Sequence, residues 1–305
     1  MKRIYVAGSI NMDLVIKSNV FPVKGMTVMG EGFMTNPGGK GANQAVAVAK
    51  MQGDVKMIGA VGEAFGNELI ETLNNYHVNT ELVAHHTNIS SGIAVIIISE
   101  NDNRIILDSG SNGLVSFEQI KESLKDAEPG DYFLTQLEIP VPVVEQSIKY
   151  AKELGLVTIL NPAPAQKVSD EVFKYLDYFI PNQTECEFYT GIYPSDLADS
   201  IEAGQELIKK GVQNVIITLG TLGAISVTED VIEYVEAYKV EAVDTTAAGD
   251  TFVGVTTSFL AKGYSIKDAL NYANLAASFT VQRPGAQQSI PYLEEILNSE
   301  KKGNN

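Results

Sequence analysis

Tyr132-Phe133-Leu134-Thr135-Gln136-Leu137 is followed by Val141–Leu154, with apolar residues at helical spacing, and then by Leu156-Val157-Thr158-Ile159-Leu160. A strand, a helix and a second strand joined this closely read as a βαβ unit, whose two strands lie parallel. Both strands are apolar nearly throughout, the pattern of a sheet buried on its two faces. The same alternation extends in both directions. Ile4–Ala7, Val55–Val61, Tyr178–Ile180, Val215–Leu219 and Ala224–Thr228 read as strands, and Gly41–Gln52, Gly66–Tyr76, Phe117–Asp126, Val168–Leu176 and Ser200–Gly211 as helices. The expected fold class is therefore α/β, a mostly parallel central sheet with helices on both faces. From Asp250 onward the pattern is helical, at Asp250–Lys262, Ile266–Gln282 and Tyr292–Ser299.

Two segments, about 14–36 and 92–108, do not fit the alternation. The second holds two apolar runs around Glu100-Asn101-Asp102-Asn103, a hairpin-like turn. Together they are expected to form a small β-sheet standing off the main one, inserted in one domain that spans 1–305. Such a sheet can close over a cleft and exclude water during chemistry. Read alone it is equally a pair of surface hairpins or a subunit interface. A lid that also pairs two copies into a homodimer combines these readings. The polar end, Lys301–Asn305, is expected to be disordered.

The 305 residues are 45% hydrophobic and 20% charged, with a formal net charge of −16. That composition is globular, and the acidic surface would repel a nucleic-acid backbone, so no nucleic-acid partner is expected. No apolar run reaches the roughly 18 residues of a membrane span, and the apolar run at the start is too short for a signal peptide. A cytoplasmic protein without a membrane partner is expected. Cys186 is the only cysteine, which excludes an internal disulfide and a cysteine-cluster metal site. His85 and His86 are adjacent and do not face one point, so a surface loop is the better reading than a metal.

Asp244-Thr245-Thr246-Ala247-Ala248-Gly249-Asp250 leads directly into a helical pattern. Small residues let a backbone approach a ligand, and the free N–H groups and dipole of a helix start favour an anion. A carboxylate in that place suits chemistry beside the anion, such as taking a proton from a hydroxyl that attacks a phosphoryl group. It equally suits a helix cap. Gly8-Ser9-Ile10-Asn11-Met12-Asp13 follows the first strand without the glycine spacing of a dinucleotide fingerprint. Asn11 and Asp13 read as groups at the carboxyl end of that strand, able to engage sugar hydroxyls, or as a turn with Asx hydrogen bonds. Asn36-Pro37-Gly38-Gly39-Lys40-Gly41-Ala42-Asn43-Gln44-Ala45 is glycine-rich before a helix but is not a P-loop.

Taken together, these segments resemble the ribokinase family, also called the PfkB carbohydrate kinases, over essentially the whole chain. Gly38–Ala45 looks like its amino-terminal signature and Asp244–Phe252 like its carboxy-terminal one. The Asn-Gln-Ala wording and Ala-Ala-Gly-Asp, rather than Gly-Ala-Gly-Asp, are similar to the ribose-phosphorylating branch. The resemblance implies a ribokinase-like fold and ATP-dependent phosphorylation of D-ribose at its 5-hydroxyl, with Mg²⁺ and a K⁺ activator. Asn11, Asp13, Gly39, Lys40, Asn43 and Glu138 would then hold the sugar, and Asp250 would be the catalytic base. The N–H groups of Ala247, Ala248 and Gly249 would form the anion hole. Asn182 and Glu185 match an Asn-x-x-Glu motif tied to magnesium and phosphate. Thr218, Gly220, Thr221, Gly223 and Asn274 would line the ATP site. K⁺ would sit against Asp244, Thr246, Thr280, Arg283, Gly285 and Ser289. By their own spacing Asn182 and Glu185 equally fit a capping box, and Glu138 a solvated loop carboxylate. Val61-Gly62-Glu63-Ala64-Phe65-Gly66 is one residue short of the family's usual loop, so the helix after it is expected to shift its start. A kinase for another sugar or a nucleoside, or a sugar-binding protein without catalysis, are the alternatives.

Overall fold

In the computed structural model, residues 1–99 and 102–303 are described. The chain opens with β1 (Ile4–Ala7), β2 (Asn11–Ser18) and β3 (Gly30–Gly38), followed by α1 (Lys40–Lys50), β4 (Val55–Val61), α2 (Gly66–Asn75) and β5 (Asn79–His85). It continues with β6 (Gly92–Ser99), β7 (Asp102–Asp108), α3 (Phe117–Ser123), β8 (Tyr132–Thr135), α4 (Val141–Glu153), β9 (Val157–Leu160) and β10 (Tyr178–Phe179). Then come α5 (Gln183–Thr190), α6 (Leu197–Lys209), β11 (Asn214–Thr218), β12 (Ala224–Val227), β13 (Ile232–Val235), α7 (Ala248–Ala261), α8 (Ile266–Val281) and α9 (Leu293–Gly303).

Among the described residues, a nine-stranded sheet runs in the order β13-β12-β11-β10-β9-β8-β1-β4-β5. It is parallel from β11 to β5, and β12 and β13 are antiparallel at one edge. β1 lies third from the β5 edge and is buried at every position. Its alternate side chains part into two cores, as a pleated strand requires. Ile4 and Val6 face α1, α7 and α8, while Tyr5 and Ala7 face α3, α4 and α6. The expected α/β architecture stands.

The segments expected as a lid form a separate sheet ordered β3-β2-β6-β7. Its strands begin earlier and end later than expected, at Asn11 and Gly38. Asn11 and Asp13 thus belong to β2 of this small sheet and not to the end of β1. The Glu100–Asn101 part of the expected turn lies outside the described residues, and Ser99 pairs with Asp102 across it.

Other differences have local causes. Val168–Leu176 was expected to be helical, but only Val172–Tyr175 forms a single 3-10 turn. Its apolar residues do face inward, yet the backbone bonds elsewhere. The Ser169 N–H donates to Glu145 at 2.5 Å, and the Tyr175 carbonyl accepts from the Thr158 hydroxyl. His85 ends an edge strand where a loop was expected, and His86 begins the loop that follows, its N–H donating to the Val61 carbonyl at 2.9 Å. The short loop before α2 ends with Phe65 in left-handed backbone, φ 64°, and the helix starts at Gly66. Lys301–Gly303 continue α9 where disorder was expected, and Asn304 and Asn305 lie outside the described residues. Among the described residues no helix is long and apolar enough to cross a membrane.

Candidate active site

The site lies where the ends of β1 and β8, the start of α1 and the start of α7 meet the small sheet. Gly39 precedes α1 with φ 90°, a conformation open to glycine, and a Cβ there would fall 2.8 Å from the Asn11 N and the Ser9 O. The first turn of α1 is thereby pressed against the β1–β2 link. α7 is buried on all sides from Asp250 to Ala261. Small residues allow this, because Gly254 brings its backbone close to α1.

These two helix starts bring distant residues into contact. The Asp250 carboxylate is buried and accepts from Asn43 Nδ2 at 2.9 Å and from Gln44 Nε2 at 3.0 Å. Asp250 sits in the first turn of α7, after Ala247 in left-handed backbone at φ 60°. The N–H of Ala248 donates to the Thr245 carbonyl at 3.2 Å, while among the described residues no acceptor takes the N–H of Gly249 or Asp250. Of the expected Ala247–Gly249 donors, the Ala248 group is therefore engaged in the turn. The Asp250 N–H stands free in its place.

Asp250 lines a cleft of about 250 Å³ together with Lys40, Asn161, Asn182, Glu185, Thr218, Ala247 and Gly249. Asn182 and Glu185 form a complete capping box at the start of α5, with both reciprocal bonds present at 2.8 and 2.9 Å. The capping and site readings coexist, since the same two residues also line the cleft. Burial raises the Glu185 carboxyl above its ordinary range.

A second cleft of about 250 Å³ lies between the small sheet and the segments that follow β8 and β9, and is lined by Asn11, Asp108, Asn112, Glu138, Pro164 and Gln166 among others. Glu138 is half-buried and is not a freely solvated carboxylate. It accepts from the Ser9 hydroxyl at 2.5 Å and from the Lys40 N–H at 3.3 Å. Asn11 is held by Asn112, whose Nδ2 donates to Asn11 Oδ1 at 2.7 Å. Asp13 is directed over Gly38 of the neighbouring strand, where a Cβ would fall 2.7 Å from Asp13 Oδ2. Burial, then the charges of Glu138 and Asp250, push Asp13 up from 3.8 to about 7. Burial works against the Lys40 charge, but the carboxylates of Asp250, Glu138, Glu185 and Asp13 outweigh it and raise its pKa. Lys40 is thus the cation between two carboxylate-lined clefts.

Thr218 lines the first cleft at the end of β11, and Gly220 and Thr221 follow in an exposed turn. Gly223, at φ 110°, packs against Val235 O, and Asn274 Nδ2 donates to the Val235 and Glu236 carbonyls at 3.3 Å. The expected nucleotide residues thus flank one surface between β11, β13 and α8. Asp244 Oδ1 accepts from the Thr246 N–H at 2.9 Å and Oδ2 from the Gly285 N–H at 2.8 Å, joining the loop before α7 to the loop after α8. Ser289 is buried and its hydroxyl donates to the Ala286 carbonyl at 2.6 Å. Two expected cation residues turn their side chains away. The Thr280 hydroxyl is bonded to Thr251 and Ala276, and the Arg283 guanidinium pairs with Glu295 at 2.5 Å.

Residues 1–293 match the pfkB family of carbohydrate kinases. The chain belongs to that family. Among its relatives, the ribokinase of Schizosaccharomyces pombe is 40% identical over 97% of each chain. The deoxyribokinase of Salmonella typhimurium is 37% identical over 96% of this chain and 97% of its own. The structure of Arabidopsis thaliana ribokinase complexed with ribose and ATP superimposes with a TM-score of 0.90 at 29% identity, covering 97% of this chain and 98% of that one. The fold is therefore that of the ribokinase-like pfkB kinases, with a mostly parallel sheet and a small separate one.

Several groups of this pfkB kinase site were not legible as site residues. Gln44, Gln136, Asn161 and Asn112 are all buried polar amides beside the expected residues. A signal did exist for Gln44. It directly precedes the small and apolar run Ala45–Ala49, where a buried amide requires a partner.

Proposed function

We propose that this protein is a ribokinase, transferring the γ-phosphoryl group of ATP to the 5-hydroxyl of D-ribose. The observation that carries the reading is the buried Asp250 carboxylate beside the free N–H groups of a helix start, in a cleft that Lys40, Asn182 and Glu185 also line. The ribokinase relative at 40% identity and the fold shared with a ribokinase holding ribose and ATP support it.

In this reading Asn11, Asp13, Gly39, Lys40, Asn43 and Glu138 hold the sugar. The Asn43 Oδ1 acceptor, buried with no hydrogen-bond partner, suits a ligand hydroxyl. Asp250 accepts the proton of the attacking hydroxyl, a role worth on the order of 10²–10⁴-fold. The α7 start, with Gly249 and Asp250 N–H groups, receives charge developing on the transferred phosphoryl group without reorganisation. Lys40 adds a positive charge on the same side. Thr218, Gly220, Thr221, Gly223 and Asn274 line the nucleotide.

Glu185 and Asn182 would hold Mg²⁺ with the nucleotide phosphates. The fit rests on Glu185, a buried carboxyl whose ionised form a nearby cation would favour. The ion would neutralise phosphate charge during transfer. Asp244, Ser289 and the carbonyls of the loop after α8 would hold K⁺, and Asp244 already joins that loop to the one before α7. Thr280 and Arg283 would contribute there only through their backbone. A homodimer through the lid is supported by exposed apolar side chains on its edge strands, Phe33 and Met34 on β3 and Ile105 and Ile106 on β7. The cytoplasm, where ATP and potassium are plentiful, is the proposed compartment.

A second reading, phosphorylation of 2-deoxyribose, is favoured by the deoxyribokinase relative at 37% identity. The experiment is ADP release from MgATP with ribose, 2-deoxyribose, other sugars and nucleosides. Strongest turnover with ribose is expected. Strongest turnover with another acceptor would reassign the substrate, and none with any acceptor would overturn the kinase reading.

A further inference from the structure

Gln44 is wholly buried behind Asp250, and its amide makes three hydrogen bonds. Nε2 donates to Asp250 Oδ1 and to Asn161 Oδ1, each at 3.0 Å, and Oε1 accepts from Gln136 Nε2 at 2.6 Å. The chain has only one consistent direction. It starts at the Ile180 carbonyl, which can only accept and takes the Asn161 Nδ2 hydrogen at 2.8 Å. Asn161 must therefore present its oxygen to Gln44, and Gln44 must present its NH₂ to both Asn161 and Asp250. A reversed Gln44 would set its oxygen against a carboxylate and a second carbonyl. Gln136 then fixes the remaining end. The result is a donor aimed permanently at Oδ1, while Asn43 serves Oδ2 from another direction.

We infer that Gln44, oriented by Asn161 and Gln136, is a positioning residue for Asp250, fixing the plane of its carboxylate. This deepens the proposed function and rests on the reading of Asp250 as the base. A base must be aimed at the proton it takes, and a carboxylate held at both oxygens by fixed donors cannot turn away from it. The charged groups around Asp250 are Lys40, Asp13, Glu138 and Glu185. None of them is altered by a change at Gln44.

The test is the single-turnover rate of phosphoryl transfer with saturating D-ribose and MgATP, set beside D-ribose binding without ATP, in Gln44→Met, Gln136→Met and Asp250→Asn. In Gln44→Met the rate is expected to fall on the order of 10–100-fold while ribose binding is retained, a split that a general loss of structure would not give. Gln136→Met, which frees the Gln44 amide to turn, should lower the rate by less, and it carries the test if Gln44→Met does not fold. An unchanged rate in the folded variants, or a loss of ribose binding that matches the loss of rate, would overturn the inference. Asp250→Asn separates the two ideas. Full turnover there would overturn the base reading itself, whereas its loss alongside an unchanged rate in Gln44→Met would overturn only the role of Gln44.

Discussion

Gly254 of α7 lies against Ala47 of α1 so closely that a Cβ at 254 would fall 2.6 Å from the Ala47 Cβ and 2.6 Å from the Gln44 carbonyl oxygen. This contact sets the distance from which Asn43 and Gln44 reach Asp250. Gly254→Ala gains about 1 kcal/mol of helix propensity, but overpacking by a buried methyl costs about 1–3 kcal/mol. A net loss of stability is expected, larger in Gly254→Val. Displacing one helix from the other by an ångström would lower turnover on the order of 10²-fold. Denaturant melts and turnover, measured together, check this. Full turnover in Gly254→Val would show that the two helix starts do not depend on this contact.

Glu185 serves a capping box and lines the phosphate-side cleft, and one substitution separates the two. Gln at that position can still reach back to the Asn182 N–H, so Glu185→Gln should leave stability within about 0.5 kcal/mol. The charge is gone, and the Mg²⁺ concentration for half-maximal activity should rise on the order of 10–100-fold. Asn182→Ala should instead cost about 1 kcal/mol of stability through the lost cap. A magnesium titration and thermal melts of both variants decide the matter. An unchanged titration in Glu185→Gln would leave that residue a cap alone.

The parallel sheet was legible because β1, β4, β8, β9 and β11 are buried on both faces and therefore read as continuous apolar runs. β5 and β13 lie at its edges and carry mixed burial, so their sequences do not announce them. Val168, Val172 and Leu176 have helical spacing for a different reason. They are three inward anchors of an irregular segment whose backbone bonds to α4 and β9. In the site, Asp250 and Asn43 were legible because signatures surround them, whereas Glu138 was named only through the family resemblance. Asn112, Asn161, Gln136 and Gln44 act by orienting other groups. Their partners come from the Ile180 carbonyl, the β1–β2 link and α7, which only the folded chain assembles.

Asp13 introduces a pH dependence whose sign is fixed by its environment. Its carboxyl titrates near 3.8 when unperturbed and at about 7 in the fold. The folded state therefore holds an extra proton between those values, and stability from the neutral form is lost as pH rises from about 4 through 7. At about 1.4 kcal/mol per unit the full difference is about 4–5 kcal/mol. Asp13→Asn, neutral at every pH, should exceed the unaltered protein in melting temperature by a small margin near pH 5 and by a much larger one near pH 8.5. Melts across that range check it. A constant gap at both pH values would mean that Asp13 does not titrate in this window. Ribose affinity should fall in the variant near pH 8.5, where ionised Asp13 offers two acceptor oxygens to sugar hydroxyls and Asn only one.

Asp244 provides the test of the cation. Burial opposes its charge, but the bonds from Thr246 and Gly285 outweigh this and hold its carboxyl below the ordinary range. The stability it contributes is thus present at neutral pH and lost only as pH falls through the acid range below that of an ordinary carboxylate. An ion binding the folded state alone stabilises by about 2.7 kcal/mol at a hundred times its dissociation constant. The unaltered protein should therefore melt higher in K⁺ than in Na⁺ at equal ionic strength, without ribose or ATP. Asp244→Asn keeps an oxygen for one of the two backbone donors but removes the charge. It should melt lower than the unaltered protein and lose most of the K⁺–Na⁺ difference. Its turnover should become equally slow in both salts, because the loop that Asp244 joins carries Ala247–Gly249. If the variant kept the full K⁺ response, the ion would have to bind elsewhere, and Asp244 would act only as the tie between the two loops.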